Sequence, residues 1–313
     1  MTQAYTEEIS RTNPLTVIFL VDQSGSMEDP FGGKEAATKA KATSDALNRL
    51  IDTMIQLNLS GEEVYNRLLV SVIGYGGNTV ASALGGALAG KNVVPLSDLN
   101  DNRIRLENRR KKVPDGAGGV IEVEEPFPIW LEPKADGVTP MKQAFEKAKG
   151  IVQQALKDHP NAHPPIVINI TDGAYTPTGP AGDPSPVVKE IISLQNINGS
   201  QPLVYNGHIT HEQLPPILYP VTNDSIRDEY ARELFAMSSP LPAATVAIAR
   251  SRQFHAIQDG SKGFVYQADM VQMIEFLDIG TRAAIEFRPG QEESHPGSES
   301  TASFLDIERP SGS

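Results

Sequence analysis

Residues 15–27 read LTVIFLVDQSGSM. Leu15 to Val21 is an unbroken apolar and β-branched run, and the chain then turns at once to Asp22, Ser24 and Ser26. A run without polar alternation is the pattern of a strand covered on both faces. RLLVSVIGYG (67–76), IVINI (166–170), PLVYNGHIT (202–210) and GFVYQA (263–268) read the same way. Helical periodicity fills the gaps between them. Over 34–57, Leu47, Leu50, Ile51, Met54 and Ile55 share one face. Over 140–156, Pro140 occupies the first turn, and Met141, Ala144, Phe145, Ala148, Ile151, Val152 and Ala155 line up behind it. Helices are also expected over 185–195, 224–237, 242–254 and 269–278. Buried strands alternating with amphipathic helices predict an α/β fold with a mostly parallel sheet.

Three segments fall outside this rhythm. Residues 1–13 form a polar leader without the apolar core of a signal peptide. Residues 77–135 hold Gly-rich turns, several prolines and the alternating VIEVEEPFPIW, which predicts an elaborated sheet edge with an antiparallel strand. Residues 286–313, rich in Ser, Gly, Glu and Pro, have too few apolar residues to pack and are expected to be a disordered tail. One domain over 14–285 remains. The 313-residue chain has no cysteine, which removes disulfides, thiolate metal sites and cysteine nucleophiles, and fits a reducing compartment. No apolar run approaches the ~18 residues of a membrane span. A net charge of −12 argues against general binding of nucleic acid or anionic membrane. The expected location is the cytoplasm.

Ligands of open α/β sheets bind outside the carboxyl ends of the strands. Asp22, Ser24 and Ser26 follow the first strand, Thr171, Asp172 and Gly173 follow IVINI, and Asp136 and Thr139 precede the 140–156 helix. All three loops are expected on one edge. Two carboxylates ~4 Å apart repel by roughly 4 kcal/mol at an effective dielectric of ~20, so one takes a proton or a cation sits between them. With hydroxyls beside them and neither His nor Cys, the set suits a hard cation, Mg²⁺ first, then Mn²⁺ or Ca²⁺. Gly25 and Gly173 are expected to let their loops bend so that the side chains converge.

DQSGSM, GVTPM and ITDG, in this order and at these element ends, resemble the von Willebrand factor type A (vWA) domain and its metal-ion-dependent adhesion site. The family pattern D-x-S-x-S, a distant Thr and a distant Asp maps onto Asp22, Ser24, Ser26, Thr139 and Asp172. The likeness covers roughly 13–285, and ELFAMSSPLP and GFVYQADMVQMIEFLDIG are similar to the later part of bacterial cytoplasmic, stand-alone members. It implies a doubly wound, Rossmann-like three-layer sandwich. It also implies that both serines bind the metal directly, that Thr139 and the aspartates bind directly or through water, and that one coordination position is left for a partner's Asp or Glu. The implied function is a metal-dependent protein–protein interaction module, not an enzyme, in a bacterial signalling, stress or defence assembly. Implied partners are an AAA+ ATPase, or serine/threonine kinases and phosphatases of the same system. The alternatives are a Mg²⁺-dependent hydrolase or phosphatase using the same cluster, and a structural subunit of an AAA+ ATPase or chelatase-like complex. No nucleophile or dedicated acid supports the hydrolase.

Other motifs carry less. GGALAGKN (85–92) nearly matches a phosphate-binding loop, but Asn92 replaces the Ser/Thr and no helix follows. The basic run RIRLENRRKK (103–112) reads as a solvated hairpin, with an acidic or nucleic-acid partner as the alternative. His208 and His211 are placed on opposite faces of a strand, and His159 and His163 lie in a Pro-rich loop, so neither pair makes a good metal site. Trp130 lies in an apolar run and is expected in the core.

Overall fold

The computed structural model describes residues 5, 7–31, 34–114, 119–209, 215–251, 254–268, 272 and 275–277. The tail at 286–313 and most of the 269–278 helix lie outside them; Gln272 and Glu275 to Leu277 are helical. Strand β1, Leu15–Asp22, is buried along its whole length. It is followed by a small hairpin of β2 (Pro30–Phe31) and β3 (Lys34–Thr38), helix α1 (Lys39–Leu57), a second hairpin of β4 (Leu59–Ser60) and β5 (Glu63–Val64), and β6 (Leu68–Gly76). Next come β7 (Thr79–Ser82), β8 (Val94–Pro95), α2 (Leu96–Asp101), β9 (Arg105–Pro114) and β10 (Val120–Ile129). The chain continues through α3 (Met141–Asp158), β11 (Ile166–Thr171), α4 (Ser185–Ser193), β12 (Leu203–Ile209), β13 (Ile217–Leu218), α5 (Glu229–Met237), α6 (Ala243–Ser251) and β14 (Phe264–Ala268).

The main sheet has the order β13-β14-β12-β11-β1-β6-β7, with β8 also on β6. Its central strands β14, β12, β11, β1 and β6 are parallel neighbours. The antiparallel strands β7, β8 and β13 lie at its edges. From β1 the chain goes first to β6 on one side and later to β11 on the other. The strand order therefore reverses beside β1, which opens a crevice between the loops that follow β1 and β11.

Alternation along β1 builds the two outer layers. Val17, Phe19 and Val21 pack in one core with Leu47, Ile51 and Met54 of α1 and Val246 of α6. Ile18 and Leu20 pack in the other with Met141, Phe145 and Val152 of α3, Ile191 of α4 and Leu234 of α5. The second core contains a buried polar chain. The Tyr75 hydroxyl donates to Asn169 Oδ1 (2.7 Å), Asn169 Nδ2 to Asn206 Oδ1 (3.1 Å), and Asn206 Nδ2 to Ser238 Oγ (3.0 Å). Removing the middle link strands buried polar groups on both sides. Asn169→Ala is expected to destabilise by about 1–3 kcal/mol in urea unfolding; a loss under 0.5 kcal/mol would contradict this.

The sequence reading needs two corrections. Residues 34–38, expected to open the first helix, form β3, which pairs antiparallel with β2. The helix starts at Lys39, five residues later than expected, because Thr38 is its N-cap, accepting from the Lys41 N–H through Oγ1 at 3.2 Å. The 77–135 region does supply an antiparallel edge strand, but it is β7. VIEVEEPFPI forms β10 and pairs with β9 in a separate two-stranded ribbon. The ribbon is rooted by Phe127, Ile129 and the buried Trp130, whose indole donates to the Leu99 carbonyl at 2.7 Å. Two arginines of the basic run are paired within the chain. Arg105 pairs with Glu107 and Glu132, and Arg109 with Asp45 (2.9 Å) and Glu107 (2.8 Å) while it covers the Phe127 ring. In the leader, the Tyr5 hydroxyl donates to the Gln201 carbonyl at 3.0 Å, and the buried Glu7 accepts from Asn196 at 2.6 Å. Among the described residues no helix is long and apolar enough to cross a membrane.

Candidate functional site

Register places the first and third loops side by side. Val21 of β1 is opposite Ile170 of β11, so Asp22 and Thr171 end adjacent strands. Asp22 is 1% exposed, and its carboxylate has two donors. The Ser24 N–H reaches Oδ1 at 2.8 Å and the Thr171 hydroxyl reaches Oδ2 at 2.7 Å. Ser26 lies in a one-turn 3₁₀ helix, Gly25–Glu28, and its hydroxyl donates to Asp172 Oδ1 at 2.8 Å. The Ser24 and Ser26 hydroxyl oxygens are 3.2 Å apart. Asp22, Ser24, Ser26 and Asp172 are thus joined by hydrogen bonds from two loops that are 146 residues apart in the chain for the Ser26–Asp172 link.

Thr139 joins this group through backbone and not through its hydroxyl. It is buried, two residues ahead of α3. Its loop is bound to the first by Gly25 N–H to Gly137 carbonyl (2.9 Å) and Asp136 N–H to Gln23 carbonyl (2.7 Å). The third loop is bound to it by Thr176 N–H to the Thr139 carbonyl at 2.8 Å. Gly137 has φ +58°, and a Cβ there would lie 2.7 Å from the Gly77 Cα, so only glycine lets this loop lie against the β6–β7 turn. Gly25 acts differently from the expectation. It has no positive φ, and its lack of a side chain allows close approach to the Gly137 carbonyl, 3.3 Å from where its Cβ would be.

A third charged side chain in the cluster was not anticipated from the sequence. Lys39, the first residue of α1, is buried, and its ammonium is 2.7 Å from Asp172 Oδ2. It also lies 3.3 Å from both Asp29 Oδ2 and the Ser26 carbonyl oxygen. A cation at a helix N-terminus faces the positive end of the macrodipole, a place where lysine is disfavoured. The available signal was its position directly after the N-cap, and misplacing the helix start at 34 hid it.

The electrostatics follow from this packing. Burial first, and the negative charge of Asp172 second, push the Asp22 carboxyl up to about 6, against the pull of the Ser24 and Thr171 hydrogen bonds. Burial, then Asp22, raise the Tyr75 hydroxyl well above its ordinary value. His208, beside Thr171 in the sheet register, is driven down to about 4 chiefly by burial. Among the described residues no three His, Cys, Asp or Glu side chains come together as a metal group. Any ion held here relies on the serine hydroxyls as well as the two aspartates. Such an all-oxygen set fits a hard divalent cation, and the ammonium on Asp172 shows that the cluster accepts positive charge.

The remaining candidates are structural or fall outside. His163 is buried, with Nδ1 2.7 Å from the Pro164 carbonyl oxygen and its ring stacked on Tyr5. His211 lies outside the described residues. In GGALAGKN only a single 3₁₀ turn forms, Gly86–Leu88, and β8 follows.

No family model matches the chain, and no curated protein matches it. Among solved structures the chain is similar to the pilus adhesin RrgA from Streptococcus pneumoniae, at 16% identity and a TM-score of 0.28. The likeness covers 55% of this chain and spans only 22% of the adhesin, and it is too slight to bear on fold or function.

Proposed function

We propose that the domain is a vWA-type module that holds a divalent cation, Mg²⁺ before Mn²⁺ or Ca²⁺, and through it binds a carboxylate of a protein partner. One observation carries this reading: the buried Asp22 and the shielded carboxylate of Asp172 converge with the hydroxyls of Ser24 and Ser26 at the crevice where the strand order reverses. Asp22, Ser24, Ser26 and Asp172 would hold the cation, with Thr139 at the rim. The bound cation would supply a positive centre for an incoming Asp or Glu.

The chain's own residues prepare this. Thr171 and the Ser24 N–H orient Asp22, and the backbone links among Gln23, Gly25, Asp136, Gly137 and Thr176 fix the three loops relative to one another. The cluster offers no hydroxyl nucleophile with a base beside it other than the aspartates themselves, which favours binding over hydrolysis. An AAA+ ATPase, or a kinase or phosphatase, offering an exposed acidic side chain is the partner class that this chemistry suits.

The test is partner capture on the immobilised protein in Mg²⁺ and in EDTA, read by mass spectrometry. Partners are expected to be lost in EDTA, restored by Mg²⁺ or Mn²⁺, and absent from Asp22→Ala, which removes one of the two carboxylates. Recovery of the same partners in EDTA would overturn the reading.

A further inference from the structure

We propose that Lys39 is the resident counter-ion of this site: its ammonium holds Asp172 while no divalent cation is bound, and a divalent cation enters by displacing it towards Asp29. The inference rests on the cation-binding reading above and adds an affinity-setting residue to it.

The ammonium and the proposed ligands share acceptors. Lys39 Nζ takes Asp172 Oδ2 at 2.7 Å, while the other oxygen of the same carboxylate accepts from Ser26 at 2.8 Å. Both side chains of the pair are only 4% exposed, so neither charge is screened by water. A divalent cation drawing on Asp172 and Ser26 brings two positive charges beside that ammonium, and like charges at such range in a buried site repel strongly. They are not both accommodated.

Lys39 also has somewhere to go. Asp29 Oδ2 is 3.3 Å from the ammonium, and its side chain is 53% exposed. Asp29 therefore offers a solvent-facing acceptor at the edge of the same cluster. The backbone already ties the two together, Lys39 N–H donating to the Asp29 carbonyl at 3.0 Å. A permanent structural ion pair would have no reason to sit at the first residue of a helix, against the macrodipole, with a second acidic partner at its exit. Displacement moves the charge of the N-terminal residue of α1 and so links cation loading to the β2–β3 hairpin that leads into that helix.

The test compares Mn²⁺ binding by calorimetry in wild type, Lys39→Met and Asp29→Asn. Removing the competing ammonium is expected to tighten Mn²⁺ binding about tenfold or more, and removing its exit partner to weaken it. On the wild-type protein, acetylation of Lys39 by an amine-reactive ester is expected to rise at saturating Mn²⁺, while that of the half-exposed Lys91 stays constant. This second measurement decides the matter if Lys39→Met does not fold. Wild-type binding of Mn²⁺ with unchanged affinity in Lys39→Met, or with unchanged Lys39 labelling, overturns the counter-ion proposal and leaves the cation-binding reading intact. No Mn²⁺ binding by either protein overturns both.

Discussion

Asp22→Asn is expected to abolish Mn²⁺ binding while raising the melting temperature of the metal-free protein by about 5 °C at neutral pH. The two halves follow from one fact: Asp22 carries a charge in a place that disfavours it. It is 1% exposed, and its carboxyl is pushed up to about 6 by burial and by Asp172. Neutralising it removes that burden from the folded protein, and Asp172 keeps its partner Lys39. The asparagine keeps the geometry. Its carbonyl oxygen still accepts from the Ser24 N–H, and its amide faces Thr171, whose hydroxyl can turn to accept and point its proton towards the Gly173 carbonyl, 3.5 Å away. A divalent cation, by contrast, loses one of two full charges. At an effective dielectric of ~20 that difference exceeds several kcal/mol, so affinity falls by about two orders of magnitude or more. A structural aspartate would behave oppositely, with Asp22→Asn lowering the melting temperature and sparing Mn²⁺ binding. Calorimetry and thermal unfolding in EDTA separate the two cases.

The sheet was legible because its central strands are buried on both faces. Continuous runs such as LTVIFLV and IVINI have no other economical reading, and β1, β6, β11, β12 and β14 all fall within a few residues of their expected spans. The convergence of the loops after β1 and β11 followed from topology alone. Three features were not legible, each for a physical reason. KEAAT has good helical composition, yet it pairs with Pro30–Phe31, and only the cap at Thr38 marks the true helix start. VIEVEEPFPI alternates as an edge strand should, but its cross-strand partner is the charged β9 and not the main sheet. Pattern reveals a strand's exposure without revealing its neighbour. Lys39 is a tertiary event: no local signal says that a lysine 133 residues from an aspartate will meet it. The convergence of Asp22, Ser24, Ser26 and Asp172 could be read because their loops follow adjacent strands of one sheet edge, while the arrival of Lys39 could not.

Between pH 6.5 and 4 this end of the sheet is expected to act on the unfolding free energy of the metal-free protein through two effects of opposite sign, one from Asp22 and one from His208. Asp22 has a folded value of about 6 against an ordinary 3.8. Its folded state binds a proton more readily than the unfolded chain, so it contributes stability that is fully present below about pH 4 and lost as pH rises through about 6. The difference corresponds to about 3 kcal/mol. His208 runs the other way, at about 4 in the fold against an ordinary 6.5. Buried and neutral, it contributes stability above about pH 6.5 that is lost as pH falls towards 4, again about 3 kcal/mol. Burial outweighs Asp228 and Asp172, which favour the protonated ring, and Lys39 adds to burial. Urea unfolding in EDTA at several pH values resolves the pair through differences between proteins. The advantage of Asp22→Asn over wild type should shrink by about 3 kcal/mol as pH falls from 6.5 to 4, and His208→Asn should gain on wild type by a similar amount over the same range. Groups common to all three proteins, including the buried His163, drop out of those differences. A pH-independent gap for Asp22→Asn would mean that Asp22 titrates alike in the folded and unfolded chains. Burial and the charge of Asp172 would then already be offset at Asp22 by its hydrogen bonds and by Lys39 on Asp172, leaving little electrostatic reason for the site to take up a second cation.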